Sequence, residues 1–263
     1  MRPVFVERVL REMLESGQLR LDDRILAVCS DSAERDLFLS IGFREVTISN
    51  LDPRLSEDHC KPYRASCQNA MSLTFEDRAF DFAFVSDGLH HCSSPHRALV
   101  EMYRVAGKGV IVIESRDSLL MRAAVALGLS QEYEVSAVQY NNSELGGVDN
   151  SEIPNFIYRW TEREFVKSIR ANHPVGRHRF HFVYGFNVPG FSMRSDRVAK
   201  AVKLGLNLMA GVLSLIARRQ GNAFAMIALR PTVPADLWPW LSLENGKVRM
   251  RKPSSPGPGQ PPR

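Results

Sequence analysis

The sequence predicts an α/β protein built on a parallel sheet with helices on both faces, and three observations carry that reading. Short apolar runs recur at residues 25–28, 46–48, 80–85 and 110–113. Segments of helical periodicity, 33–41 and 95–105, lie between them. The runs are continuous rather than alternating, as expected of strands covered on both sides. Strands are therefore expected at about residues 24–30, 45–50, 64–68, 80–86 and 109–114, the third of them poorly marked.

Taken in order, Val4, Val6, Val9, Leu10, Met13 and Leu14 recur near helical spacing before Gly17, which predicts an N-terminal helix within residues 1–20. The run at 25–28 stops at Cys29, Ser30, Asp31, Ser32 and Ala33, a helix-like segment follows, and the next run begins at Val46. That is the start of a βαβ unit, although its turn lacks the glycines that let a backbone approach a nucleotide. Beyond Glu114, residues 117–128 read as a helix, and 131–157 as a long polar loop of the kind that forms lids. Thr161 and Glu164 match a capping box opening a helix over 161–171. Residues 178–186 alternate like a strand, 196–219 read as an apolar helix, and 222–230 as a final strand. The main domain spans 21–232, with cap elements at about 131–160 and 196–219.

The chain has 263 residues, 44% hydrophobic and 24% charged, which is ordinary for a globular protein. Its net charge of +5 resides in the last seventeen residues, where Lys247, Arg249, Arg251, Lys252 and Arg263 stand without an acid. The body is electrically balanced, which argues against a nucleic-acid enzyme with a basic folded face. Residues 247–263 are expected to form a disordered tail rich in proline and glycine. The cysteines Cys29, Cys60, Cys67 and Cys92 form no CxxC pair and no metal-ligand spacing with histidine, so no metal is expected and a reducing cytoplasm is the simplest setting. The N-terminus lacks an uninterrupted apolar core and does not read as a signal peptide.

The strongest signal is residues 75–114, "FEDRAFDFAFVSDGLHHCSSPHRALVEMYRVAGKGVIVIE". Phe80-Asp81, Leu89-His90-His91, the run from Glu101 to Arg104-Val105, Gly107, Gly109 and Glu114 together resemble the central block of the type 11 branch of class I S-adenosylmethionine (SAM)-dependent methyltransferases. The resemblance extends over about residues 20–115. It implies a Rossmann-like seven-stranded methyltransferase sheet with a small helical and loop cap, and SAM lying across the carboxyl ends of the first, second and fourth strands. It further implies that Cys29, Ser30 and Asp31 face the methionine end and that Asn50, Leu51 and Asp52 face the ribose. Asn69 and Ala70 would then lie beside the adenine, with Ser86 and Asp87 on the floor. Two departures stand out: the first turn has no glycine triplet, and Asn50 occupies the place of the acid that grips the ribose hydroxyls. An amide can still bridge two hydroxyls, with one acceptor and one donor group.

Methyl transfer from a sulfonium needs a positioned acceptor and, for some acceptors, a base. His91 and then His90 are the candidate bases, against the reading that the pair packs and caps the next helix. Tyr158, Arg159 and Trp160 are candidate substrate contacts, against a tryptophan that docks a helix on the sheet. Residues 204–217 are apolar between basic flanks and too short to span a bilayer, so they either touch a membrane surface, cap a lipophilic pocket or pack between strands. The expected acceptor is a small molecule or a lipid- or sugar-linked precursor. A non-catalytic scaffold of the same fold is the competing reading, and a nicotinamide-dependent reductase the third, disfavoured by the missing GxGxxG.

Overall fold

The computed structural model describes residues 3–186 and 217–251. Residues 196–216 of the expected 196–219 helix, with nearly all of the apolar 204–217 segment, and the tail from Pro253 lie outside the described residues, and the helix's expected last residues fall in a 3-10 turn at Arg218–Gln220. Among the described residues no helix is long and apolar enough to cross a membrane.

A seven-stranded sheet organises the chain. In sequence order its strands are β1 (Arg24–Ala27), β2 (Glu45–Asn50), β3 (Arg64–Cys67), β4 (Phe80–Ser86), β5 (Ala106–Ser115), β6 (Arg179–Gly185) and β7 (Ala223–Leu229). Across the sheet they run β3-β2-β1-β4-β5-β7-β6. The first five are parallel, and β7 inserts antiparallel between β5 and β6. The sheet is therefore mixed, with its strand order reversing between β1 and β4. Open α/β sheets form a ligand crevice at that reversal.

Two cores flank the sheet because successive strand residues point to opposite faces. Ile25, Ala27, Phe82, Phe84, Ile111 and Ile113 join helices α1 (Pro3–Glu15) and α2 (Ser32–Ile41) on one side. Leu26, Val28, Ala83, Val85, Val110 and Val112 join α4 (Pro95–Val105) and α7 (Glu162–Asn172) on the other, with α3 (Glu57–Cys60) packed on the first side. In α1 the buried Val6, Val9, Leu10 and Met13 form one stripe. Each such side chain contributes about 1.5–3 kcal/mol on burial. Gly42 ends α2 in the left-handed region at φ 100°, donating to the Phe38 and Leu39 carbonyls.

Several boundaries differ from the sequence reading for physical reasons. Strand β5 begins at Ala106 because Phe80 pairs with it across an irregularity in the β4 register. The region 131–157 is not structureless: it contains α6 (Val135–Tyr140), following α5 (Leu119–Ala126), and a single 3-10 turn at Val148–Asn150. Thr161 caps α7 by accepting from the Glu164 amide. The Glu164 carboxylate is engaged by Tyr158 and His96. Finally, Lys247–Met250, assigned above to a disordered tail, forms β9 of a hairpin with β8 (Leu241–Glu244). Asn245 and Gly246, both at positive φ, make the turn, a strong local hairpin signal.

Candidate active site

The carboxyl ends of β1, β2 and β4 converge on a cavity of about 600 Å³, whose opposite wall is the 134–150 part of the cap. Nine of the residues named from sequence line it: Cys29, Asp31, Asn50, Leu51, Asp52, Asn69, Ala70, Asp87 and His91. Ser30, Ser86 and His90 are buried and do not line it. The cap supplies Glu134, Ser136, Ala137, Tyr140, Asn141 and the Gly146-Gly147 pair, none of which was singled out individually from sequence. Arg54 and Gln68 were also missed. The legible signal was the polar, glycine-containing loop itself.

The glycine-poor first turn works through Cys29, which adopts φ 52°. A left-handed residue other than glycine costs on the order of 1–2 kcal/mol. Close approach is provided from the facing turn instead. A Cβ placed on Gly88 would lie 2.5 Å from the Cys29 Cβ and 2.9 Å from Val85 Cγ2. The glycine demanded by this site is thus after β4 rather than after β1. Asp31, in extended backbone, caps α2 by accepting from the Ala33 amide at 2.7 Å, while the Glu34 carboxylate accepts from the Asp31 amide at 3.1 Å. Burial pushes the Glu34 carboxyl up to about 7.

Asn50 is committed to the backbone. Its Nδ2 donates to the Ser30 carbonyl at 3.2 Å, and its Oδ1 accepts from the Asp52 amide at 3.0 Å. It therefore locks the ends of β1 and β2 together. Asp52 pairs with Arg54, which holds the carboxyl below its usual range. Arg54 also donates to Asn141 Oδ1 at 3.1 Å, linking this wall to the cap.

A polar cluster closes the far end. Glu114, fully buried at the end of β5, accepts from the Gly88 amide at 2.9 Å and the Leu89 amide at 2.6 Å. Its other oxygen meets His90 Nδ1 at 2.7 Å. His90 Nε2 and His91 Nε2 each lie 3.3 Å from Glu134 Oε2. Burial opposes charge on His90, yet Glu114 and Glu134 outweigh it and raise this imidazole to about 10. His90 is thus a cation at neutral pH, clamped between two carboxylates. Burial and the neighbouring His90 charge push His91 down, leaving a neutral imidazole at the cavity wall. Burial also opposes charge on Glu134, but the two histidines hold its carboxyl near 2. The Cys29 thiol is pushed well up by its contact with Cys92 and by desolvation at the cavity wall, and is no nucleophile at neutral pH.

Tyr158, Arg159 and Trp160 lie apart from this cavity. Trp160 is fully buried in the core between β5 and α7, with its amide on the Ser115 carbonyl at 2.9 Å. The Tyr158 hydroxyl donates to Glu164. Arg159 donates to the Ile157 and Gln131 carbonyls, tying the base of the cap to the edge of the sheet. Indole and phenol here do what burial favours, packing against each other and against His96.

Residues 29–113 match the family described as a methyltransferase domain. No curated protein matches the chain by sequence. Among solved structures, a SAM-dependent methyltransferase from Archaeoglobus fulgidus superposes with a TM-score of 0.51 at 11% identity, covering 87% of this chain and 94% of that one. Magnesium protoporphyrin IX methyltransferase from Synechocystis PCC 6803, solved with bound S-adenosylhomocysteine (SAH), superposes with a TM-score of 0.50 at 12% identity, covering 88% and 84%. At such identities the likeness is one of fold. The matched block at the strand ends is thus similar to a methyltransferase domain, and the fold of the chain is the Rossmann-like fold of SAM-dependent methyltransferases.

Proposed function

We propose that the protein transfers a methyl group from SAM to a small-molecule or lipid- or sugar-linked acceptor held between the strand ends and the 134–150 cap. The observation that carries this reading is the cavity itself, where the cofactor-side residues and a neutral histidine share one space. Its volume of about 600 Å³ lies within the range of sites for drug-sized ligands.

The lining fits a cationic sulfonium. Asp31, Asp52, Asp87, Glu134 and Asp149 face Arg54 and His91, an excess of carboxylate that favours the ammonium and sulfonium charges of SAM. Asp31 and Asp87 would hold the amino-acid end, Asp52 and Gln68 the ribose, and Asn69 with Ala70 the adenine. Asn50 would act by keeping the two strand ends in register. The departure lies at α2, whose first amides are satisfied by Asp31 and Glu34 rather than left open to a ligand carboxylate.

Bound SAM supplies a methyl carbon activated for in-line displacement. The protein's task is then to place the acceptor and take its proton. His91 is the group suited to that: neutral, on the cavity wall, and with His90 and Glu134 fixing its surroundings. His90 is a positioning residue, since its imidazole is held by Glu114 and Glu134. Tyr140, 91% exposed beside the mouth, offers an aromatic face to an acceptor. The closed α2 terminus is the one feature that favours a non-catalytic scaffold. Incubation with radiolabelled SAM and a panel of phenolic, carboxylic and lipid acceptors distinguishes the two. Label transfer that falls at least tenfold in His91→Ala supports the enzyme, and SAM binding without transfer to any acceptor supports the scaffold.

A further inference from the structure

We propose that His90, His91 and Glu134 form a divalent-cation site of the zinc type, opening onto the cavity. The one-atom-each donors of these three residues lie within 4.8 Å of one another. Two of the separations are given directly: His90 Nε2 to Glu134 Oε2 and His91 Nε2 to Glu134 Oε2, both 3.3 Å. Zinc bonds of about 2.0–2.1 Å at the tetrahedral angle put neighbouring donors about 3.3 Å apart. Both histidine–carboxylate separations match that spacing, and the third pair of donors lies within 4.8 Å, so side-chain adjustment brings all three onto one cation.

The atoms behind the donors favour the same reading. A histidine that ligates through Nε2 keeps its proton on Nδ1 and gives it to a carboxylate or a carbonyl, which orients the ring and makes the ligating nitrogen more basic. His90 Nδ1 faces the fully buried Glu114 carboxylate at 2.7 Å. His91 hydrogen-bonds the Gly146 backbone. His90 Nε2 and His91 Nε2 both face Glu134 Oε2, an arrangement that calls for positive charge between the two rings and the carboxylate. A proton can meet that need, and a divalent cation meets it for both rings at once.

The placement suits a catalytic rather than a buried structural ion. Three protein ligands of the His, His, Glu type leave a position for an exogenous oxygen or nitrogen. His91 and Glu134 line the cavity, so that position is reached from the side where an acceptor would enter. The chemistry of the ligands, two imidazoles and one carboxylate, suits zinc and its neighbours better than magnesium or calcium, which prefer oxygen. The site goes beyond the methyl-transfer reading, since its existence depends on the three side chains alone; a bound cation takes the His91 Nε2 lone pair, so His91 serves as the acceptor's base only in the cation-free protein. Cys29 and Cys92 lie near enough to each other to interact and are the rival thiolate ligands for a soft metal.

The test uses tag-free, chelator-stripped full-length protein titrated with Zn²⁺ by calorimetry, with bound metal counted by elemental analysis. One Zn²⁺ per chain is expected. His91→Ala and Glu134→Gln, substitutions at half-buried positions, should each weaken binding by at least about tenfold while circular dichroism stays native. Substitution of Cys29 and Cys92 by serine should leave the stoichiometry at one. Co²⁺ should give the visible absorption of a tetrahedral nitrogen and oxygen site without a thiolate charge-transfer band. No stoichiometric Zn²⁺ in the wild type, unchanged binding in the His91 and Glu134 variants, or binding that follows the cysteines would each overturn the proposal. SAM titration of the same stripped protein reports on the methyl-transfer reading separately.

Discussion

Gly88→Ala tests how a first turn without glycines is made to work. The added Cβ would lie 2.5 Å from the Cys29 Cβ, 2.9 Å from Val85 Cγ2 and 3.5 Å from Cys29 Sγ. Carbon atoms rest at about 3.5–4.0 Å, so the first contact is short by about 1 Å, and it lies against an atom fixed to the backbone. Overpacking of this kind costs about 1–3 kcal/mol. Because Cys29 and Asp87 both line the cavity and both sit at positive φ, the displacement falls on the proposed cofactor wall. SAM affinity should drop by roughly tenfold, which corresponds to about 1.4 kcal/mol. Cys29→Gly removes the colliding Cβ and the left-handed penalty, leaving only the Val85 methyl, which can rotate. The double variant Cys29→Gly/Gly88→Ala should therefore recover at least about 1 kcal/mol relative to additivity. The assay is urea denaturation alongside titration calorimetry on the four proteins of the cycle. A Gly88→Ala protein as stable and as competent as wild type, or a strictly additive double variant, would refute the facing-glycine explanation.

Glu34→Gln keeps a capping residue on α2 but removes a buried charge. The unfolded carboxyl titrates near 4.5 and the folded one at about 7, because of burial. The stability associated with that proton is full below 4.5 and is lost as pH rises through 7. The variant should therefore exceed wild type by up to about 3 kcal/mol in urea melts at a pH about one unit above the folded value, and its advantage should vanish under acid conditions. Trp160→Ala should cost about 3–5 kcal/mol of stability, read by thermal melting, because the indole is fully buried and packs against His96 and Tyr158. Arg159→Ala should raise the acceptor KM by loosening the cap, with SAM affinity within about twofold, a gap of roughly 0.4 kcal/mol. Asn50→Ala should weaken SAM about fivefold through loss of the link between Ser30 and Asp52, measured by calorimetry.

What sequence reasoning could see depended on how local the cause was. The apolar runs at 25–28 and 80–85 mark β1 and β4 because a strand buried on both faces must be apolar throughout. Cys29, Asp31, Asn50 and Asp87 could be placed near one cavity because topology alone brings strand ends together. The left-handed backbone at Cys29 was hidden, since the glycine that leaves room for its side chain, Gly88, stands in the distant turn after β4. Glu134 was hidden for the same reason: its partners are forty-odd residues earlier in the chain. Trp160 was ambiguous because an aromatic beside a loop suits a pocket or a core equally, and only the bridge from Arg116 decides for the core. The β8–β9 hairpin was legible in Asn245-Gly246 and was missed because basic charge and the nearby proline-rich segment suggested disorder.

The central claim is that the cavity at the ends of β1, β2 and β4 binds SAM, and titration calorimetry with SAM and SAH tests it most directly. The expected result is saturable binding of each at one site per chain in the wild type, weakened about tenfold by Gly88→Ala. Absence of binding of either compound at millimolar concentration, or binding indifferent to Gly88→Ala and Asn50→Ala alike, would contradict it.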